Sequence, residues 1–230
     1  MKDRSGDLSG FSEVHPCEGL AVFRSGFIGI IGKPNAGKST LMNYIVGEKV
    51  AISTHKPQTT RNRIMGIRTT EACQFIFLDT PGIHRARTPL GRQLVSTAMS
   101  VFNDVNILLL MADAGTPIGD DDTLIVSSLK EIRVPVILVF NKIDLVPKER
   151  LLPLIDGARN LYPFKEIVPV SALKGFNVDR LLKVIAELLP EGPPYFPDDM
   201  ITDRSERFLA AEIIREKITL FTHKEVPYAT

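Results

Sequence analysis

Apolar residues fall into short continuous runs that alternate with stretches repeating every three or four positions, the pattern of strands followed by amphipathic helices. The runs predict strands over 27–31, 64–68, 74–78, 105–111, 134–140 and 167–170, and the repeating stretches predict helices over 38–46, 90–102, 121–132, 148–161 and 178–189. The runs at 74–78, 105–111 and 134–140 are largely apolar, as strands covered on both faces must be. Only residues 69–73 separate the second strand from the third. That is too short for a crossover helix, so the pair is expected as an antiparallel hairpin. The fold class that follows is α/β, with a mixed six-stranded sheet carrying one antiparallel strand.

After Leu189 the pattern breaks. Pro190, Pro193, Pro194 and Pro197 stand within eight residues, which forbids a helix and disfavours a central strand. Residues 190–202 therefore read as a linker. Beyond it, Phe208, Ala211, Ile214, Ile218 and Phe221 recur at helical spacing, predicting an amphipathic helix over 203–221 with Thr202 or Asp203 as its N-cap. At the other end, residues 1–24 are polar and charged without the apolar core of a signal peptide, and read as a flexible tail.

Composition adds bounds. The chain has 230 residues, 44% hydrophobic and 24% charged, enough for one domain and a remainder. The longest apolar run, 107–112, is far short of a bilayer span of roughly 20 residues, which leaves only peripheral membrane contact. Two cysteines, Cys17 and Cys73, are too few for a disulfide scaffold or a zinc cluster and point to a reducing, cytoplasmic setting.

The chemistry begins at Gly32, Lys33, Pro34, Asn35, Ala36, Gly37, Lys38 and Ser39, a full match to the phosphate-binding pattern G-x-x-x-x-G-K-[ST], followed by Thr40. It lies between the first strand and the first helix, where backbone N–H groups and a helix N-terminus can converge on phosphate oxygens. This predicts the three-layer P-loop NTPase fold. Lys38 is expected at the β- and γ-phosphates, and the Ser39 hydroxyl on Mg2+. Asn141, Lys142, Ile143 and Asp144 follow the strand 134–140 and so sit at a carboxyl end, where such sheets bind ligands. A carboxylate at Asp144 can accept hydrogen bonds from guanine N1–H and its amino group. Adenine offers no such pair. Asp79, Thr80, Pro81 and Gly82 follow the strand 74–78, with Asp79 placed for Mg2+ and the Gly82 N–H for a γ-phosphate. Ser171, Ala172 and Leu173, after the strand 167–170, would buttress the guanine.

These four motifs in this order, over residues 26–189, resemble the GTPase domain of the translation-factor-related superfamily. The resemblance implies GTP and GDP as ligands. It also implies a first switch in the loop before the second strand, with Thr60 as its Mg2+ ligand and Thr59 adjacent and chemically equivalent. Lys38, Thr60, Gly82 and Asn35 are then the expected catalytic set. Ile83 stands where many such GTPases carry a water-orienting glutamine, and isoleucine cannot hydrogen-bond water. Catalysis must draw on something else. Asn35 resembles the asparagine that in several of these GTPases ligates K+ beside the phosphates; its alternative role is only to shape the loop. The alternative to an enzyme is a nucleotide-gated binding module with negligible hydrolysis.

Charge is uneven. Seven basic residues (Lys56, Arg61, Arg63, Arg68, Arg85, Arg87, Arg92) against Glu71 and Asp79 give the switch segment a local +5, although the whole chain carries +1. Such a patch suits RNA or an acidic partner, or is solvated charge on an edge hairpin.

The stretch from Glu191 to Pro197, then Thr202, Asp203, Glu206, Arg207 and Phe208, then 212–217, ending at 225–228, resembles the Era family, as do residues 58–61 and 79–84. In that family the GTPase domain, here 25–189, precedes a KH RNA-binding domain, whose start would occupy 203–230. The resemblance implies a role in 16S rRNA processing and 30S ribosomal subunit biogenesis, with the 16S rRNA 3′ end as partner. It also implies a monomer and peripheral contact with the inner face of the cell membrane. A KH domain clamps RNA with a GXXG loop, and no glycine follows Gly192. The KH domain is expected to be incomplete in this chain, and RNA binding weak.

Overall fold

Strand β1 (Arg24–Gly32) runs through the centre of the sheet and ends in the phosphate-loop sequence. The structure, a computed structural model, describes residues 17, 21–52, 64–79, 105–117 and 119–221; the helix expected over 90–102 lies outside them. Helix α1 (Lys38–Val46) follows β1, and the hairpin β2 (Ile64–Thr69) and β3 (Cys73–Asp79) comes next. Then come β4 (Ile107–Asp113), α2 (Asp120–Ser128), β5 (Val136–Asn141), α3 (Leu151–Arg159), β6 (Glu166–Pro169), α4 (Val178–Leu188) and α5 (Glu206–Phe221). The six strands lie in the order β2-β3-β1-β4-β5-β6, every pair parallel except β2 with β3. This is the expected mixed sheet with one reversed strand.

The two-residue period of the strands divides the core. Ile28, Ile30, Phe75, Phe77, Ile107, Leu109, Met111, Ile137 and Val139 face α1 and α4, packing on Leu41, Met42, Ile45, Leu181, Leu182 and Ile185. Their neighbours Ile31, Ile76, Leu78, Leu108, Leu110, Val136, Leu138 and Phe140 face the other way, toward Ile125, Leu129 and Ala158 of the α2 and α3 side. A parallel sheet buried on both faces has no polar side to spare, which is why its strands read as continuous apolar runs.

Some boundaries differ from expectation. The helices expected over 121–132 and 148–161 each contain a short 3-10 turn, at Leu129–Glu131 and Lys148–Arg150. Pro153 has no N–H to donate to Glu149, so the α pattern starts only at Leu151. The C-terminal helix begins at Glu206, not 203. Ser205 caps it, its Oγ accepting the Phe208 N–H at 3.3 Å, while the Thr202 hydroxyl donates instead to Met65 O at 2.7 Å on β2.

The two cysteines are joined as a Cys17–Cys73 disulfide, where the sequence had offered no reason to pair them. The Arg24 N–H donates to Ala72 O at 3.0 Å, which brings the chain before β1 alongside the first residue of β3. One cross-link is still not a disulfide scaffold.

Residues 190–202 lie along the sheet. Ser25 N–H donates to Pro190 O, Gly192 N–H to Phe23 O and Ile67 N–H to Ile201 O, so the segment passes from the end of α4 to the β2 edge. Gln74, fully buried in β3, holds its middle: its Oε1 accepts the Tyr195 and Phe196 N–H groups at 2.7 and 3.0 Å, and its Nε2 donates to Phe196 O at 2.8 Å. Replacing Gln74 with leucine removes one acceptor for two backbone donors. Gln74→Leu is expected to lower the unfolding free energy by about 2–4 kcal/mol in urea titration, the cost of buried donors left without partners.

Candidate nucleotide site

All the parallel strands end at one edge of the sheet, and there the structure gathers the motif residues it describes. Two glycines let the first loop turn. Gly32 (φ 150°) lies against β4, where a Cβ would come within 2.3 Å of Met111 O. Gly37 (φ 95°) lies against Asn141, where a Cβ would come within 2.1 Å of Nδ2. Between them Asn35 also stands in the left-handed region (φ 62°), with its side chain exposed, and Pro34 is half-buried. The Leu41 N–H donates to Gly37 O at 2.9 Å and opens α1. The loop is thus a concave run of backbone that no larger side chain could replace, a cradle of the kind phosphate groups fill.

Lys38 is 6% exposed, and its ammonium donates to Gly32 O at 3.2 Å and Lys33 O at 2.9 Å. Burial pushes its pKa down, and Asp79 opposes that shift. Lys33, the other lysine of the loop, turns its ammonium to Asp122 of α2, whose Oδ2 also accepts the Gly119 N–H at 2.8 Å.

Ser39 donates its hydroxyl to Asp79 Oδ2 at 2.6 Å. The β1–β3 register pairs Asp79 with Ile30, which brings the acid from β3 to the start of α1. A serine hydroxyl beside a fully buried carboxylate is a set of hard oxygen donors, which fits Mg2+. The half-buried Thr40 follows Ser39 in α1. Thr60 and the run Thr80, Pro81, Gly82 and Ile83 lie outside the described residues.

Asn141, 3% exposed, connects three motifs. Its Nδ2 donates to Ala36 O in the phosphate loop at 2.8 Å, and its Oδ1 accepts the Ala172 N–H at 2.9 Å. Lys142 is in the left-handed region (φ 65°), and its ammonium meets Asp113 Oδ2 at 2.7 Å. The Ile143 N–H donates to Val170 O at 3.3 Å. Asp144 follows, its carboxyl held below the usual carboxylate range first by the Ser171 hydroxyl and also by Lys174, 3.5 Å away. An ionised acceptor beside the buried Ser171 and Ala172 is the chemistry a guanine edge requires. Leu173 is 78% exposed and packs against nothing in that core.

Motif spacing did not point to Asp113 or Asp122, the acids that engage Lys142 and Lys33. For Asp113 the available signal was an acid at the carboxyl end of an apolar strand, where the register pairs it with the first residue of a motif; for Asp122, on α2, there was none.

Residues 27–142 match the family model described as 50S ribosome-binding GTPase. The chain is 62% identical over 209 residues to GTPase Era of Syntrophus aciditrophicus, covering 91% of this chain and 68% of that protein. It is 52% identical over 207 residues to GTPase Era of Geotalea daltonii, covering 90% and 70%. Among solved structures it resembles Era in complex with MgGDPNP and nucleotides 1506–1542 of 16S ribosomal RNA, with a TM-score of 0.82 and 45% identity over 89% of this chain and 70% of that one. A variant of Aquifex aeolicus Era bound to GDP and tetrafluoroaluminate gives 0.81 and 45% over the same shares. With the phosphate-loop sequence, the fold and these relatives in agreement, the chain belongs to the Era family of GTPases.

Proposed function

We propose that this GTPase is a nucleotide-dependent switch in 16S rRNA processing and assembly of the 30S subunit, acting in the cytoplasm and at the inner face of the membrane. The observation that carries the nucleotide reading is the Asn141 amide, which ties the phosphate loop to the base-reading loop at one strand edge. The backbone of 32–37 and the Lys38 ammonium receive the phosphates; Asp144, with Ser171 and Ala172 behind it, receives guanine. Ser39, Asp79 and Thr60 would hold Mg2+, which would supply positive charge to offset that of the phosphates. The Gly82 N–H senses the γ-phosphate. Because Ile83 cannot orient water, we assign to Asn35 a K+ ion that offsets charge beside the phosphates. Its exposed, left-handed position on the loop supports that role. A cytoplasm that keeps thiols reduced would open the Cys17–Cys73 disulfide, and the sheet register would still hold Cys73.

The partner we assign is the 3′ end of 16S rRNA, the RNA bound by a relative of 45% identity. Residues 193–230 contain no glycine and therefore no GXXG loop. In gel shifts on that RNA, a polypeptide of residues 1–230 is expected to bind at least about tenfold more weakly than the relative in that complex. Equal affinity would mean the grip lies elsewhere.

Multiple-turnover phosphate release tests the enzyme. The chain is expected to hydrolyse GTP and leave ATP untouched. Asp144→Asn should cut GTP use by about a thousandfold and restore turnover with xanthosine triphosphate, whose O2 accepts where guanine donates. Equal use of ATP and GTP by the native chain would sink the base assignment. Hydrolysis is expected to run about tenfold faster in K+ than in Na+, with Asn35→Ala abolishing the difference. Rates that ignore the cation would remove K+ from the account. Gly37→Ala, strained at φ 95° and blocked by Asn141, is expected to lower GDP affinity by at least about a hundredfold in fluorescence titration while the circular dichroism stays native.

A further inference from the structure

Asp113 closes β4, and the β4–β5 register pairs it with Asn141, the residue before Lys142. Both its carboxylate oxygens are engaged. Oδ1 accepts the Gly115 N–H at 2.9 Å, which fixes the group to its own turn, and Oδ2 accepts the Lys142 ammonium at 2.7 Å. The Ala114 N–H donates to Asn141 O at 2.9 Å, so the strand ends that carry the two side chains are themselves joined. Lys142 has a left-handed backbone conformation, so its main chain and its charged tip are both held. The methylene stem between them is anchored at both ends.

Asp144 stands two residues on, so a base at its carboxylate comes within reach of that apolar stem. The two side chains are 32% and 27% exposed, so solvent screens the ion pair and its own strength is modest. Its effect is geometric. A loose lysine would have to surrender rotamer freedom when a base arrived; a lysine already tied to Asp113 has surrendered it on folding.

We propose that Asp113 is a positioning residue for guanine nucleotides, acting through Lys142, whose ammonium it holds in place before the ligand binds. The inference rests on the assignment of Asp144 to the guanine base.

The test uses the whole chain with Mg2+ and a fluorescent N-methylanthraniloyl GDP. It compares the native protein with Asp113→Ala, Lys142→Ala and the double variant. Asp113→Ala is expected to raise the Kd about tenfold, mainly through faster dissociation. In the Lys142→Ala background the same change is expected to cost nothing further, because the side chain it positions is gone. An equal loss in both backgrounds would overturn the proposal, since the acid would then act on the turn alone. An unchanged Kd in Asp113→Ala would overturn it too. Asp113→Asn covers the case in which the alanine variant misfolds. It keeps an acceptor for Gly115 and loses the charge facing Lys142, and is expected to raise the Kd about threefold or more; a native Kd there would also overturn the proposal. A native chain that held no GDP would fail the nucleotide assignment itself, before any variant is compared.

Discussion

The structure of the site depends on one buried amide. Asn141 sits where β5 ends, and its two polar atoms are committed to backbone groups of different loops, Ala36 O on one side and Ala172 N on the other. An amide with a donor and an acceptor at fixed spacing can hold two loops in one relative position. Aspartate would lose the donor and a shorter serine the reach. At 3% exposure the bonds face little competition from water, and leaving either one unmade would strand a buried polar group. The close fit of Gly37 against Nδ2 belongs to the same constraint: the phosphate loop can come this near only because it carries no Cβ there. The phosphate-loop sequence and the loop that carries Ser171 and Ala172 are thereby kept at a fixed distance.

Much of this was legible in the sequence because two periods and four motifs agreed. Runs such as Phe75, Ile76, Phe77 and Leu78 could only be a strand covered on both faces, and the brief gap before Cys73 could only be a hairpin turn. The phosphate-loop glycines were legible because their spacing encodes a backbone shape. What stayed hidden was set by tertiary contact. Thr202 looked like a helix cap, and by propensity it is a good one, but its hydroxyl is taken by Met65 O on β2, so the cap passed to Ser205. Gln74 is the polar residue of the run 74–78, and nothing in that pattern shows that it anchors a segment more than a hundred residues away. Asp113 and Asp122 look like solvated acids in a polar stretch; only the register and the loop path bring them to Lys142 and Lys33.

The segment after α4 bears on how the two ends of the chain communicate. Residues 190–202 are proline-rich, yet they are bonded to β1, β2 and β3 in turn. From there α5 returns toward α1. Glu216, 3% exposed, pairs with Lys49, and Leu209, Glu212 and Ile213 line a small recess with Lys49, Val50, Ala51 and Ile52. Residues 50 and 51 are in turn fixed by the Asn43 side chain on α1, which accepts both N–H groups and donates to Ala51 O. The path from the tail helix to Asn43, in the second half of α1, is therefore a continuous set of bonds and contacts. Prolines lower the entropy this segment loses on docking, since their backbone is restricted before folding.

The lysines at the site are not equivalent, and their partners explain why. Lys33, Lys142 and Lys174 each face a carboxylate: Asp122, Asp113 and Asp144. Their charge is answered within the protein, and a polyanion gains little by displacing those partners. Lys38 instead donates to two neutral carbonyls and is buried deeply enough for desolvation to lower its pKa. Asp79 offsets that only in part, because the cost of burial is the larger effect. Holding a buried ammonium among carbonyls is costly in the free protein, and a phosphate oxygen at the loop would relieve that cost in a way no water can. The paired lysines are answered by carboxylates, while Lys38, held by carbonyls, is the ammonium that a phosphate at the loop would engage.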